Sequence, residues 1–148
     1  MSAEMRMNDR LTQYWERLRK EAPLPEFTQF NAASIDDLWH QCVLFTIQPG
    51  GGDKPPVVNF YAIGDRARSL YGHEMIGRSV STAQRHFQGA AIVRRIAEVI
   101  SNPKPLYDEG QFVNDRSKIV KYRSCLLPFG TAEGRITHVI AGLSWREF

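Results

Sequence analysis

The sequence predicts an α+β protein: a five-stranded antiparallel sheet with helices on one face and an amphipathic capping helix at the N-terminus. Three observations carry that expectation. Five β-like runs are bounded by Gly-, Pro- or Asn-containing turns. Between the second and third of them, apolar residues recur at helical spacing. Ahead of the first, Leu11, Tyr14, Trp15 and Leu18 fall at i, i+3, i+4 and i+7, one apolar stripe on an otherwise charged helix.

Size and composition set the frame. With 148 residues and 43% hydrophobic content, the chain suits one domain around one core. No apolar run is long enough to span a bilayer, and the polar start MSAEMRMNDRL lacks the apolar segment of a secretory signal. Cys42 and Cys125 fit no disulfide or metal framework and are expected to be reduced, buried thiols of a cytoplasmic protein. The formal charge of +3 comes from scattered residues rather than a basic stripe, so nucleic acid is not an expected partner.

Taken in order, Asn8 or Asp9 is placed to cap a helix running to about Glu21, where Pro23 and Pro25 end it. Its Trp- and Tyr-bearing stripe must cover either the outer face of this domain's own sheet or the same helix of a second copy. The segment 24–31 is expected to be extended, because two prolines and the residue before each disfavour helix. Residues 34–39 read as one capped turn into a first strand, Cys42 to Gln48. A Gly-Pro loop at 49–56 joins this to an antiparallel partner, Val57 to Ile63. That loop precedes no helix and contains no Gly-Lys-Ser/Thr, so it is not a phosphate cradle.

Gly64 then turns the chain, and Asp65 caps a short helix with Ala67, Leu70 and Tyr71 on its apolar side. Gly72 is expected to terminate that helix and Gly77 to punctuate again. The polar stretch 79–87 reads as irregular. A long helix over about 88–101 follows, burying Ala91, Ile92, Ile96, Val99 and Ile100 opposite Arg94, Arg95 and Glu98. Strands at 105–113, 119–128 and 136–145 complete the chain, with turns at 114–116 and 130–134.

Alternation orients the last two strands. Val120, Tyr122, Ser124 and Leu126 should face the helices, with Lys121 and Arg123 outward. On the final strand, Val139, Ala141, Leu143 and Trp145 share one side, and His138, Ile140, Gly142 and Ser144 the other. Ile140 on that second side calls for a cover, which the N-terminal helix can supply. The arrangement requires Ile92 and Ile96 to be buried against Tyr122 and Leu126, and strands 105–113 and 136–145 not to run parallel.

The element order, with a helical cluster in the middle and three strands at the end, resembles a PAS domain. The motifs YWERLR at 14–19 with PLPEF after it, FYAIGDRARSLYGHEMIGR at 60–78, LLPFG at 126–130 and the final IAGLSW narrow the likeness. Together they resemble the small alphaproteobacterial PAS subfamily over residues 10–145. The Gly-Pro loop at 49–56 and the lack of an output domain depart from it. The resemblance divides the chain into a capping or dimerisation helix, 1–23, and a sensory domain, 24–148. It implies a homodimer joined through the flanking helix stripe of Leu11, Tyr14, Trp15 and Leu18. It also implies a small apolar or aromatic ligand, or a partner surface, between the long helix and the inner sheet face. The expected lining is Phe60 or Tyr61, with Leu70, Phe87, Ile92, Ile96, Tyr122, Ser124 and Leu126, where Tyr61, Tyr122 and Ser124 would supply polar groups. The same side chains could instead simply fill a core.

Cofactor-bearing relatives leave marks in sequence. A flavin photosensor needs a cysteine within Asn-Cys-Arg-Phe after the second strand, where this chain reads GDRARSLYG, so flavin is not expected. Haem would need an axial histidine near the long helix. His73 and His86 stand near that position but read as surface or capping residues, and haem is not expected either. No HExxH, CxxC or triad pattern surrounds the four histidines, and the paired acids Asp36-Asp37 and Asp108-Glu109 read as turn and cap residues. The expected function is therefore a stand-alone cytoplasmic sensory module that signals in trans through a partner protein. A ligand-free dimerisation module is the alternative from another class, and a small cone-fold enzyme the third.

Overall fold

The computed structural model describes the backbone of residues 3–71, 74–86 and 88–148, and the side chains of these apart from 3–6, 86, 88 and 89. Gly72, His73 and Phe87 lie outside the described residues. The chain forms a five-stranded sheet in the order β2-β1-β5-β4-β3. The strands are β1 (Cys42–Gln48), β2 (Val57–Ile63), β3 (Leu106–Val113), β4 (Ile119–Gly130) and β5 (Ile136–Glu147). Every hydrogen-bonded pair is antiparallel. β3 and β5 consequently point the same way across β4, contrary to expectation, as any two strands flanking a shared antiparallel neighbour must.

The helices are α1 (Ala3–Arg19), α2 (Asp36–Trp39), α3 (Asp65–Tyr71), α4 (Val80–His86) and α5 (Ile96–Ser101). α1 begins before Asn8 and Asp9, which lie inside it rather than capping it. The residues ahead of them, Ala3, Glu4, Met5 and Arg6, are good helix formers. α1 stops at Arg19, and Lys20 takes the left-handed conformation common after a helix end (φ 54°). The segment after it is extended only in part, because Phe27–Gln29 forms a turn of 3-10 helix. Asn31 rather than Ser34 caps the next turn, its side chain accepting from Ala33 N at 3.0 Å.

Two further expectations fail in the helical middle. The stretch 79–87 is not irregular: Ser79 Oγ accepts from Thr82 N at 3.1 Å and opens α4, which buries Val80 and Ala83. Nor is there one long helix over 88–101. Residues Gln88–Val93 form a 3-10 helix, the chain turns at Arg94 and Arg95, and α5 follows. Both arginines reach the same carboxylate, Asp108 of β3. Successive residues of a regular helix diverge by about 100°, so a break between the two helical pieces lets both point at one target.

The sheet separates two apolar layers. On its inner face Val43, Phe45, Phe60, Tyr122, Leu126, Ala141 and Leu143 pack against Ala67, Tyr71, Val80, Ile92, Ile96 and Val99 from the helices. Ile92 and Ile96 do share a core with Tyr122 and Leu126. On the outer face Leu44, Cys42, Cys125, Leu127, Phe129 and Ile140 are covered by Met7, Leu11, Tyr14 and Trp15 of α1 and by the chain around Leu24, Ile35 and Leu38. The apolar stripe of α1 is thus taken up by its own sheet, with Leu18 partly buried beside it. Trp15 fixes the helix by donating from Nε1 to the Pro128 carbonyl at 2.6 Å. Thr12 Oγ1 meets the Tyr107 hydroxyl at 2.7 Å.

Gly64 earns its place through crowding rather than through an unusual backbone angle. A Cβ there would overlap the Trp39 carbonyl and the His40 backbone, where β2 ends against the start of β1. Gly77 does adopt a positive φ, 87°, and its N–H donates to the Phe60 carbonyl at 2.8 Å. This turn lays residues 77–79 along the free side of β2.

Candidate functional site

The inner sheet face and the helices over it enclose the region in which a ligand was expected. β2 carries the first wall, and its register decides which aromatic faces inward. Leu44 pairs with Ala62, but Phe45 pairs with Phe60, so Tyr61 is the extra residue of a bulge. Phe60 therefore points into the core at 1% exposure, while Tyr61 points to solvent at 62%. Tyr61 is removed from the expected lining, and simple alternation could not have shown the inserted residue.

Around Phe60 the rings form a chain of contacts: 4.8 Å between centroids to Phe45, and 5.5 Å in an edge-on contact to Tyr71 of α3. Leu70 is half-buried beside this layer. Ile92 and Ile96 roof it from above, and Leu126 and Ser124 of β4 form its floor, all buried. Tyr122 closes the side nearest β3. Its hydroxyl donates to the Ala91 carbonyl at 3.2 Å, tying the 3-10 helix over 88–93 to the sheet. Burial pushes the Tyr122 phenol above its usual range. Phe87 lies outside the described residues.

Two hydroxyls in this layer have no hydrogen-bond partner among the described residues: Tyr71 Oη and Ser124 Oγ. Both side chains are essentially inaccessible, and burial raises the Tyr71 phenol above its ordinary value of 10.0. Buried polar groups are normally satisfied, so an orphaned pair beneath one helical roof is unusual. Tyr71 stood in the sequence only as part of the apolar side of a short helix. The signal for it was that Tyr71 carries the one hydroxyl on the apolar side of that helix.

Charge keeps to the rim. Arg94 grips Asp108 with two hydrogen bonds of 3.1 and 3.2 Å, and Arg95 stands 3.8 Å from the same carboxylate. The Asp108 side chain is only 7% exposed. Asp108 thus anchors the helical roof to β3 rather than ending a turn, a role the sequence reading did not assign. Among the described residues no cluster of histidine, cysteine and acidic side chains could hold a metal ion. His73 lies outside the described residues, as does the side chain of His86. His138, on the outer face, stacks flat on Phe27 with centroids 3.6 Å apart, and burial lowers its pKa.

A five-stranded antiparallel sheet with this strand order, helices gathered over one face and a buried layer between them defines a small α+β domain. The family model described as the PAS domain matches residues 3–144, and the chain belongs to that family. PAS domains are in general sensory or regulatory modules, typically without enzymatic activity. Among solved structures, the chain is similar to an RNA-binding light-oxygen-voltage receptor, at 14% identity and a TM-score of 0.50. The match covers 82% of this chain and 36% of that one, so the chain spans about a third of the receptor's length. The PAS domain of an HTR-like protein from Haloarcula marismortui is 14% identical, with 97% and 99% of the two chains covered and a TM-score of 0.44. A PAS domain from Colwellia psychrerythraea is 12% identical, with 78% and 94% covered and a TM-score of 0.48. No curated protein matches the sequence. No described helix is long and apolar enough to cross a membrane.

Proposed function

We propose that the chain is a sensory module that takes a small, mostly apolar molecule against the inner sheet face and passes the change to a signalling partner. The observation that carries this reading is the pair of buried, unpartnered hydroxyls, Tyr71 Oη and Ser124 Oγ. A ligand with hydrogen-bonding groups within an apolar body would satisfy them and recover the cost of their burial. Phe60, Leu70, Ile92, Ile96, Tyr122 and Leu126 supply the apolar surround.

The route outward follows from strand alternation. In β4, Tyr122, Ser124 and Leu126 face the ligand layer, whereas Cys125 and Leu127 lie beneath α1. A shift of β4 on one side is therefore felt by α1 on the other. Signalling in trans, a cytoplasmic setting that keeps both thiols reduced, and membership of the alphaproteobacterial subfamily belong to the same proposal, the last supported by the motif string quoted above. Homodimerisation does too, but with α1 docked it would use surfaces other than the Leu11, Tyr14 and Trp15 stripe.

The test is a comparison of native and denaturing mass spectra of the protein as purified, with an absorption spectrum of the same sample. Extra mass in the native spectrum, lost in a Tyr71→Phe, Ser124→Ala double variant, supports the sensor. Visible absorption would identify that mass as a coloured cofactor, overturning the expectation against haem and flavin. No added mass favours a ligand-free interaction module. That second reading draws on the close contacts among Phe45, Phe60 and Tyr71, which already fill part of the layer.

A further inference from the structure

The sheet order ends at β3, and no strand lies beyond it among the described residues. Natural sheets guard such a border with a bulge, a proline, a lysine or a very short strand. β3 has none of these. It runs for eight residues, LYDEGQFV, and pairs with β4 without a register shift. Its two acids are matched within the chain, Asp108 by Arg94 and Arg95 and Glu109 by Arg123 at 3.5 Å.

The ladder decides which main-chain groups are left over. Asn114 N donates to the Lys118 carbonyl at 2.9 Å where the β3–β4 hairpin closes. Antiparallel bonding alternates from that pair, so Asp108, Gly110 and Phe112 bond to β4. Tyr107, Glu109, Gln111 and Val113 turn their amides and carbonyls the other way. Of these groups, only the Tyr107 carbonyl has a partner among the described residues, Arg95 Nη1 at 3.4 Å, and a carbonyl oxygen can accept twice.

The edge is complementary to itself. A half-turn about Gly110 sets Tyr107 against Val113 of a second copy and Glu109 against Gln111, and it engages every outward group between Tyr107 and Val113. Tyr107 and Val113 are apolar side chains left 49% and 52% exposed in one chain, and in this register they cover each other. No like charges meet. A half-turn about Glu109 would instead oppose two carboxylates, and one about Gln111 would set Val113 against Glu109. At the crossing point Gly110 brings no side chain.

We infer that β3 pairs antiparallel with β3 of a second copy, joining two sheets into one. The inference names the surface for the homodimer proposed above and rests on that part of the reading, but not on a ligand in the inner layer. Stable interfaces bury about 1,200–2,000 Å². A single strand edge supplies less, so the dimer is expected to dissociate on dilution.

Sedimentation of the intact protein from about 1 μM to about 1 mM reads the assembly, and amide hydrogen exchange reads its place. The expected result is a monomer that becomes a dimer as concentration rises, with the Glu109, Gln111 and Val113 amides gaining protection in step. Val113→Lys and Gln111→Pro alter outward groups and leave the bonds to β4 intact, and each should weaken the dimer by about tenfold or more. In a mixture of Glu109→Cys and Gln111→Cys chains, oxidised glutathione should link the two variants to each other and neither to itself. A monomer at every concentration would overturn the homodimer and this surface together. A dimer unchanged in both variants, protection gained elsewhere, or the absence of the mixed link would overturn the surface and leave the homodimer standing.

Discussion

Leu11 of α1 stands directly over Gly142 of β5, in the space that a Cβ at position 142 would occupy. Gly142 is also the cross-strand neighbour of both Cys42 and Cys125, so Leu11 is seated in a hole flanked by two thiols. This one knob fixes where α1 crosses the sheet.

Substituting Gly142 should therefore act on α1. Gly142→Ala is expected to lower stability by about 1–3 kcal/mol through overpacking, and Gly142→Val by more. Leu11→Ala in the same chain should recover part of the loss. A double-mutant cycle measured by urea unfolding should give a coupling energy above about 0.5 kcal/mol. Simple additivity would mean that the helix is seated elsewhere.

Stability should fall on both sides of neutral pH, for two different reasons. Burial pushes both Cys42 and Cys125 up to about 12 from an ordinary 9.0, and raises Tyr71 as well. Above pH 9 the unfolded chain releases thiol protons that the folded chain retains, so stability declines as pH rises through that range. In mild acid the opposite holds at His138, whose pKa burial lowers from 6.5. There the unfolded chain takes up a proton that the folded chain refuses, so stability declines as pH falls through 6.5. Unfolding free energies measured from pH 5 to 11 should show both limbs. A Cys42→Ala, Cys125→Ala variant should flatten the alkaline limb and His138→Gln the acidic one; unchanged limbs in these variants would count against the assignments.

The orphaned hydroxyl of Tyr71 makes an unusual demand on its variant. Tyr71→Phe removes a buried group that has no partner among the described residues, so the ligand-free protein should gain about 1 kcal/mol. Thermal unfolding of wild type and variant, both stripped by unfolding and refolding, gives the comparison. A loss of stability would reveal that the hydroxyl is hydrogen-bonded in solution.

Asp108 joins the helical roof to β3. Asp108→Asn weakens its grip on Arg94 and Arg95, and because Arg94 is 55% exposed the cost should be only about 1 kcal/mol. The local effect should be larger than the global one. Amide hydrogen exchange over residues 88–101 is expected to accelerate while β4 and β5 stay protected. Uniform acceleration would argue that the pair supports the whole fold rather than the roof.

How much of this was legible beforehand depended on the kind of signal. β1, β2 and α3 lie where alternation, the Gly-Pro loop and the apolar side of Ala67, Leu70 and Tyr71 placed them, although Asp65 is the first residue inside α3 rather than its cap. The faces of β4 and β5 also came through, since Lys121 and Arg123 could only point outward. Tyr61 was ambiguous because a bulge changes the alternation without changing composition. The helical middle was misread because apolar spacing alone does not distinguish one helix from two short pieces on the same side. The pull of Arg94 and Arg95 toward Asp108 is a tertiary fact. The orphaned hydroxyls were equally hidden, since a partner's absence can be judged only in three dimensions.

The turn at Gly77 has a consequence for self-association. By returning along β2, residues 77–79 take up the outward amide and carbonyl of Phe60 and bridge Asn59 to Ser79, which blocks the middle of that border, while no strand flanks the far side of β3 among the described residues. A ribbon that can be extended at one end only is unable to grow into a fibre. Two copies meeting along β3 under a twofold axis would complete each other and leave nothing for a third.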